Sequence, residues 1–373
     1  MTVSDAVALA LFGAPRRRLL AALVRTWLGR PIPDVDDLPP REPGEPVVRW
    51  ACRAGGDPDP DEESRVLSDR AARVLAEGAR LGQRAIGLAD DAYPEPLRQI
   101  PDPPSVLWLH GQPEALAWPR VVAVVGARAA TPAGRTLAAE LGAGLARAGV
   151  VVVSGLARGI DSAAHQATLD AGGVSVGVLG SSLDRLYPPE HGGLARALAG
   201  QGAVVSELPP GTPPLPFHFP LRNRIISGVS AAVVVVEASE KSGSLITAMA
   251  AAEQGRHVMA VPGPVAPGRH RGGHALLRDG ATLVEGPDDV LVELGWKAQP
   301  EPPRRGRPPL DADIARELGL DATVEDFSAD EVAVATGWTI ARVNARLAAL
   351  EVDGKIQRVG GGRFRGTRTR VLR

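Results

Sequence analysis

Cysteine is almost absent from this 373-residue chain, with Cys52 the only one. One thiol makes neither an intrachain disulfide nor a cysteine-built zinc site, so a reducing, cytoplasmic setting is expected. Aromatic residues amount to 3%, and lysine is limited to Lys241, Lys297 and Lys355, which leaves arginine to carry nearly all cationic charge. The formal net charge is -1. With no global basic excess, a polyanionic partner would have to be met by local patches. The Arg16-Arg17-Arg18 cluster follows the first apolar stretch instead of preceding it, so no secretory leader is expected. No apolar run is long enough to span a bilayer. What is present is 44% apolar content and enough chain for two or three domains, each with its own core.

Composition divides the chain. Residues 1–85 read as a small helical module, with helical spacing over 4–28 and 64–80 and a Pro/Gly/Asp-rich insert over 30–61. Residues 86–298 change rhythm. Short apolar runs recur at 121–125, 150–153, 174–179, 203–205, 231–236, 257–261 and 282–284, separated by stretches such as 132–147, 162–171 and 245–254 with helical composition. Apolar runs without alternation predict strands buried on both faces, and their alternation with helices predicts an α/β fold built on a Rossmann-like parallel sheet. A Pro/Arg linker follows at 299–312. In 313–373 a capping box (Ser328 to Glu331), a turn at Gly337, a second helix over 339–350 and a glycine-linked hairpin give a winged-helix pattern. Its end carries Arg363, Arg365, Arg368, Arg370 and Arg373 without an acid, which suits either DNA or a protein partner.

In doubly wound sheets ligands sit beyond the carboxyl ends of the strands, so the residues after each run matter most. Gly126 and Arg128 follow the first run and precede Thr131-Pro132, a helix start. Gly155, Arg158 and Gly159 follow the second, and Lys241-Ser242-Gly243-Ser244 follow the fifth. Glycines here either permit tight turns or let a ligand approach the backbone, and amides at a helix start with nearby hydroxyls suit phosphate. A fourth segment, Phe217-His-Phe219-Pro-Leu-Arg222-Asn223-Arg224, places cations beside aromatic faces, as single-strand binding requires. The same arginines could instead neutralise Glu207 or Glu237. No Gly-x4-Gly-Lys-[Ser/Thr] and no Gly-x-Gly-x-x-Gly motif occurs, which argues against P-loop hydrolysis and dinucleotide binding.

The blocks FPLRNRIISGVS, SGLARGIDSAAH, SGSLITAMAAAEQGRHVMAVPG and YPEPLRQIPDPPSVLWLHG together resemble the DNA-processing protein A (Smf) family. The resemblance implies an extended Rossmann-like core that binds single-stranded DNA, forms a homodimer and helps load the RecA recombinase, protecting strands in recombination and natural transformation. It also implies a SAM-like N-terminal module and a C-terminal winged helix. Carried onto this chain, it points to Arg128, Arg222, Arg224 and the 241–244 loop, with Phe219 as the base-stacking aromatic. The segment Tyr187-Pro-Pro189-Glu190-His191 departs from the family's pattern, which often carries a basic residue there.

No cofactor, metal site or catalytic residue is expected. Asp161 and His165 are four apart, but a helix start and a packed imidazole explain them better than an acid–base pair. His270 and His274 flank Arg271-Gly272-Gly273, a poor helix for paired ligands, and no nucleophile elbow is expected. One competing class is a phosphoribohydrolase-type enzyme, whose Pro-Gly-Gly-x-Gly-Thr-x-x-Glu loop would need a glutamate shortly after Thr247; residues 248–250 are Ala, Met and Ala. Another is a ligand-sensing core coupled to a duplex-binding winged helix.

Overall fold

The structure is a computed structural model that describes residues 1–11, 41–42, 44–296, 312–321, 326–353, 355–359 and 363–366. The expected helix beyond residue 11, residues 30–40 of the insert, most of the linker and the basic residues after 366 lie outside the described residues. Two compact units emerge, Met1–Pro300 and Glu301–Arg373.

The first unit is an α/β layer structure around a nine-stranded sheet. Its strands are β1 (Arg84–Gly87), β2 (Val106–Gly111), β3 (Val121–Val125), β4 (Val151–Ser154), β5 (Ser175–Val178), β6 (Ala203–Ser206), β7 (Ala232–Val235), β8 (His257–Ala260) and β9 (Thr282–Leu283), in the spatial order β1-β2-β6-β5-β4-β3-β7-β8-β9. From β6 to β9 all neighbours run parallel, while β1 and β2 add an antiparallel edge. The unbroken apolar runs now have a cause. Val121, Ala123 and Val125 feed one core, with Val151, Val153, Val233 and Val235. Val122 and Val124 feed a second, with Val152, Val234 and Met259. Successive side chains alternate between faces, and both faces are covered.

Helices connect the strands: α5 (Pro132–Arg147) and α6 (Ile160–Asp170) after β3 and β4, α7 (Gly192–Gln201) after β5, α8 (His218–Gly228) after β6, and α9 (Gly243–Glu253) after β7. Local chemistry starts two of them. Thr131 Oγ1 accepts from Gly134 N at 3.0 Å with Pro132 in the first turn, and Ser242 caps α9. At the other edge α1 (Val3–Leu11), α2 (Val47–Ala54) and α3 (Pro60–Arg80) bury Leu9, Trp50 and Leu67 with Val106 and Trp108 of β2, so the helical module and the sheet share a core. The short α4 (Glu95–Arg98) precedes β2, and α10 (Arg271–Arg278) and α11 (Pro287–Glu293) flank β9.

The second unit holds α12 (Ala312–Glu317), β10 (Asp326–Ser328), α13 (Ala329–Thr336), α14 (Ile340–Val352), β11 (Ile356–Val359) and β12 (Arg363–Gly366), with sheet order β10-β12-β11. Ser328 and Glu331 form the capping box, and Gly337 ends α13 at φ +69°. Leu318, Phe327, Val332, Val343, Leu347 and Phe364 fill its core. This is the winged-helix pattern, with β10 as an addition that three residues of sequence do not announce.

Candidate functional site

The chain builds outward from β3 through β4, β5 and β6, then returns to place β7 on the other side of β3. The switch point therefore falls between β3 and β7, where the two loops diverge at their carboxyl ends and leave a crevice. A cavity of about 690 Å³ opens there, bounded by Gly126 and Arg128 on one side and Ser242 and Ser244 on the other. Backbone hydrogen bonds tie its rim together: Ala127 N donates to Glu237 O at 2.8 Å, and Ile160 N to Ala127 O at 3.3 Å. Glycine is required at two places in this rim. A Cβ on Gly126 would lie 2.6 Å from Ile160, and Gly159, at φ +83°, would push one into the carbonyls of Ala127 and Arg128.

Arg128 is exposed and has no carboxylate partner among the described residues. Its guanidinium sits 5.2 Å from the centroid of the Phe219 ring. Phe219 meets Tyr187 edge-on at 5.6 Å, and Arg158 lies 5.7 Å from the Tyr187 ring. A cation–aromatic–aromatic–cation series thus runs along the crevice wall. Arg158 also donates to Glu190 at 2.5 Å, so the departure of the Tyr187–His191 segment from its expected basic pattern reappears as an ion pair. On the far side Lys241 is exposed and without an acidic partner among the described residues. Gly243 is open, and the hydroxyls of Ser242 and Ser244 lie 2.8 Å apart at the start of α9.

The Arg222-Asn223-Arg224 block differs from the expectation of direct contact. Arg222 reaches the crevice wall but is only 4% exposed. It donates to the carbonyls of Gly155, at 2.8 Å, and of Val178, and through Nε to Asn223 Oδ1. Burial pushes its pKa down to about 10, with the Asp161 carboxylate opposing the shift. Gly155 is the only residue type that leaves room, because a Cβ there would lie 2.6 Å from the guanidinium. Asn223 donates to Gly243 O at 3.1 Å and so braces the 241–244 loop. Arg224 faces away from the crevice, paired with Glu207 at 2.7 Å and Asp102 at 3.1 Å. Burial opposes its charge, and the two carboxylates outweigh burial and raise its pKa. Both guanidiniums are engaged by protein groups.

Tyr187, Glu237 and Asp161 also line the crevice. Tyr187 was visible only as part of a segment. Glu237 is buried beneath the rim, where it accepts from Thr131 N at 3.0 Å and Thr131 Oγ1 at 2.7 Å, with Arg269 at 3.8 Å. It fixes the start of α5 rather than pairing with the arginine block. Asp161 accepts from Gly155 N and Ala157 N at 3.0 and 3.4 Å, and burial pushes its carboxyl up against the pull of Arg222. His165 is fully buried with Nδ1 2.8 Å from Ser175 Oγ, and His274 Nε2 faces Gly263 O at 3.0 Å.

Comparison with known proteins agrees with this architecture. Residues 84–295 match the family model for DNA recombination-mediator protein A, and residues 298–362 match that for the DprA winged helix domain. The chain is 42% identical over 280 residues to the protein Smf of Escherichia coli, spanning 73% of this chain and 75% of that one. It is 44% identical over 210 residues to the DNA processing protein DprA of Streptococcus pneumoniae, spanning 56% and 74%. The crystal structure of DprA from S. pneumoniae superposes with a TM-score of 0.65 at 33% identity, covering 79% of this chain and 98% of that one. DNA processing protein A from Helicobacter pylori, described for its single-stranded DNA binding mode, superposes with a TM-score of 0.52 at 27% identity, covering 57% and 95%. A family model spanning more than half the chain, with relatives above 40% identity over most of their own length, shows that the chain belongs to the DNA recombination-mediator protein A (DprA/Smf) family.

Proposed function

We propose that this protein binds single-stranded DNA along the carboxyl edge of its sheet, as a binding protein and not an enzyme. The observation that carries this reading is Arg128, a cation without an acidic partner among the described residues, held against the half-buried ring of Phe219. A cation beside an aromatic face serves a phosphodiester and its base together. The exposed Lys241 and the hydroxyls of Ser242 and Ser244 supply a second phosphate contact. Arg222, Asn223 and Arg224 support these groups by fixing the Gly155 and Gly243 loops and the adjoining β6 edge. Gly155, Arg158 and Gly159 shape the opposite rim. The likeness to the H. pylori protein supports the same ligand.

Against the enzyme reading, Asp161 and His165 are both buried and committed to Gly155, Ala157 and Ser175. His165 does not line the crevice, and the Asp161 carboxylate, which does, is occupied by two backbone amides. From the family we extend the proposal to a cytoplasmic homodimer that protects incoming or exposed strands and helps load RecA. The segment 259–284, with half-exposed Leu283, is the proposed dimer contact.

A titration with single-stranded oligonucleotides, the matching duplex and mononucleotides at two salt concentrations tests this. The single strand should bind tightest, with an affinity that falls steeply with salt. Preference for the duplex would instead favour a regulator working through the winged helix, and preference for a mononucleotide would favour the enzyme reading.

A further inference from the structure

A second hollow of about 730 Å³ lies on the far side of Tyr187, between the loop that follows β5 and helix α7. Tyr187 and Pro214 line both this hollow and the switch-point crevice, so the two are joined over a single aromatic saddle. The hollow has apolar walls from Leu179, Leu186 and Val204 and cations at its rim, Arg185 and Arg196. Its one carboxylate, Asp184, is committed to protein: both oxygens accept from Gly211 N at 3.1 Å, and Arg185 lies 3.6 Å away. Arg196 is exposed and has no ion pair among the described residues.

We propose that this hollow is a second nucleotide subsite, which extends the single-strand track from the crevice across Tyr187 to Arg196. This rests on the single-strand reading above and deepens it. A base leaving the crevice meets the Tyr187 ring, whose outer face continues into the apolar wall. Base–aromatic stacking tolerates any base because each has a π-face. Arg196 then stands where the next phosphate would pass, as a cation that no acid among the described residues neutralises. The Arg158–Glu190 pair keeps Tyr187 in place from the other side. Short strands are held by the crevice alone, and longer ones gain the hollow.

The test is fluorescence anisotropy on the full chain with oligothymidylates of about 4 and about 16 nucleotides, the ends of the usual range of single-strand site sizes. Arg196→Ala should weaken the long strand roughly fivefold and lower its log K against log salt slope by about 0.7, one phosphate contact, while leaving the short strand unchanged. Arg196→Lys should restore the slope, and Tyr187→Leu should weaken the long strand without changing the slope. Should Arg196→Ala leave the long strand unaffected while Arg128→Ala weakens it, the second subsite is overturned and the crevice stands. Equal weakening of both lengths by Arg196→Ala also overturns it. If wild-type protein binds neither strand, the single-strand reading itself fails.

Discussion

Arginine does two different jobs here, and the difference is set by tertiary partners that the sequence does not display. Arg222 and Arg224 are two apart on α8, so they project from different faces of the helix. One reaches the Gly155 and Val178 carbonyls, the other the Glu207 and Asp102 carboxylates. The motif announced a charged block, and the competing possibility, neutralisation of Glu207, describes Arg224. Replacing Arg224 with alanine leaves two partly buried carboxylates without their shared cation, at a cost of about 1–3 kcal/mol. Thermal unfolding should fall by several degrees, with the salt slope of single-strand binding by the folded variant unchanged. A lowered slope would show that Arg224 touches phosphate after all.

His165 sets a second residue-scale expectation. Burial pushes its pKa down to about 3 from an ordinary value near 6.5. The folded imidazole stays neutral while the unfolded chain takes up a proton below pH 6.5. Its contribution is therefore complete above pH 6.5 and is lost as pH falls toward 3, at up to about 1.4 kcal/mol per pH unit. His165→Gln should flatten that part of the stability–pH curve in chemical denaturation at stepped pH. Parallel curves for the two proteins would contradict the assignment.

At the scale of elements, the parallel strands were legible because both sheet faces are covered, which forces unbroken valine runs such as Val121–Val125 and Val151–Val153. β1 and β2 carry mixed sequences, Arg-Ala-Ile-Gly and Val-Leu-Trp-Leu-His-Gly, and pair antiparallel at the edge, so the period offered no comparable signal. The three glycine loops were correctly placed after strands, but only the strand order brings those of β3 and β7 to one switch point. Gly159 shows how tightly they interlock. Gly159→Ala combines a strained φ of +83° with a clash against the Ala127 and Arg128 carbonyls. It should cost roughly 1–3 kcal/mol of stability and also weaken single-strand binding by displacing Arg128. Gly172→Ala is the control, since its φ is +76° with open space around it. It should lose stability and keep affinity. Equal binding by both variants would separate the Arg128 loop from the ligand.

For the whole molecule, a formal charge of -1 conceals a local division. Several arginines are paired with nearby acids, as in Arg158–Glu190 and Arg346–Glu317. Arg128, Lys241 and Arg196 have no acidic partner among the described residues, and each stands at the crevice or at the hollow beside it. Composition could not show this, because pairing is a property of the folded chain. Of the two compact units, the first contains the whole crevice. The most direct measurement is the slope of log K against log salt for a single-stranded oligonucleotide, compared between the wild-type chain and an Arg128→Ala, Lys241→Ala double variant. Loss of two phosphate contacts predicts a slope shallower by about 1.4, with the thermal unfolding midpoint unchanged. An unaltered slope and affinity in the folded variant would contradict the placement of DNA in the crevice.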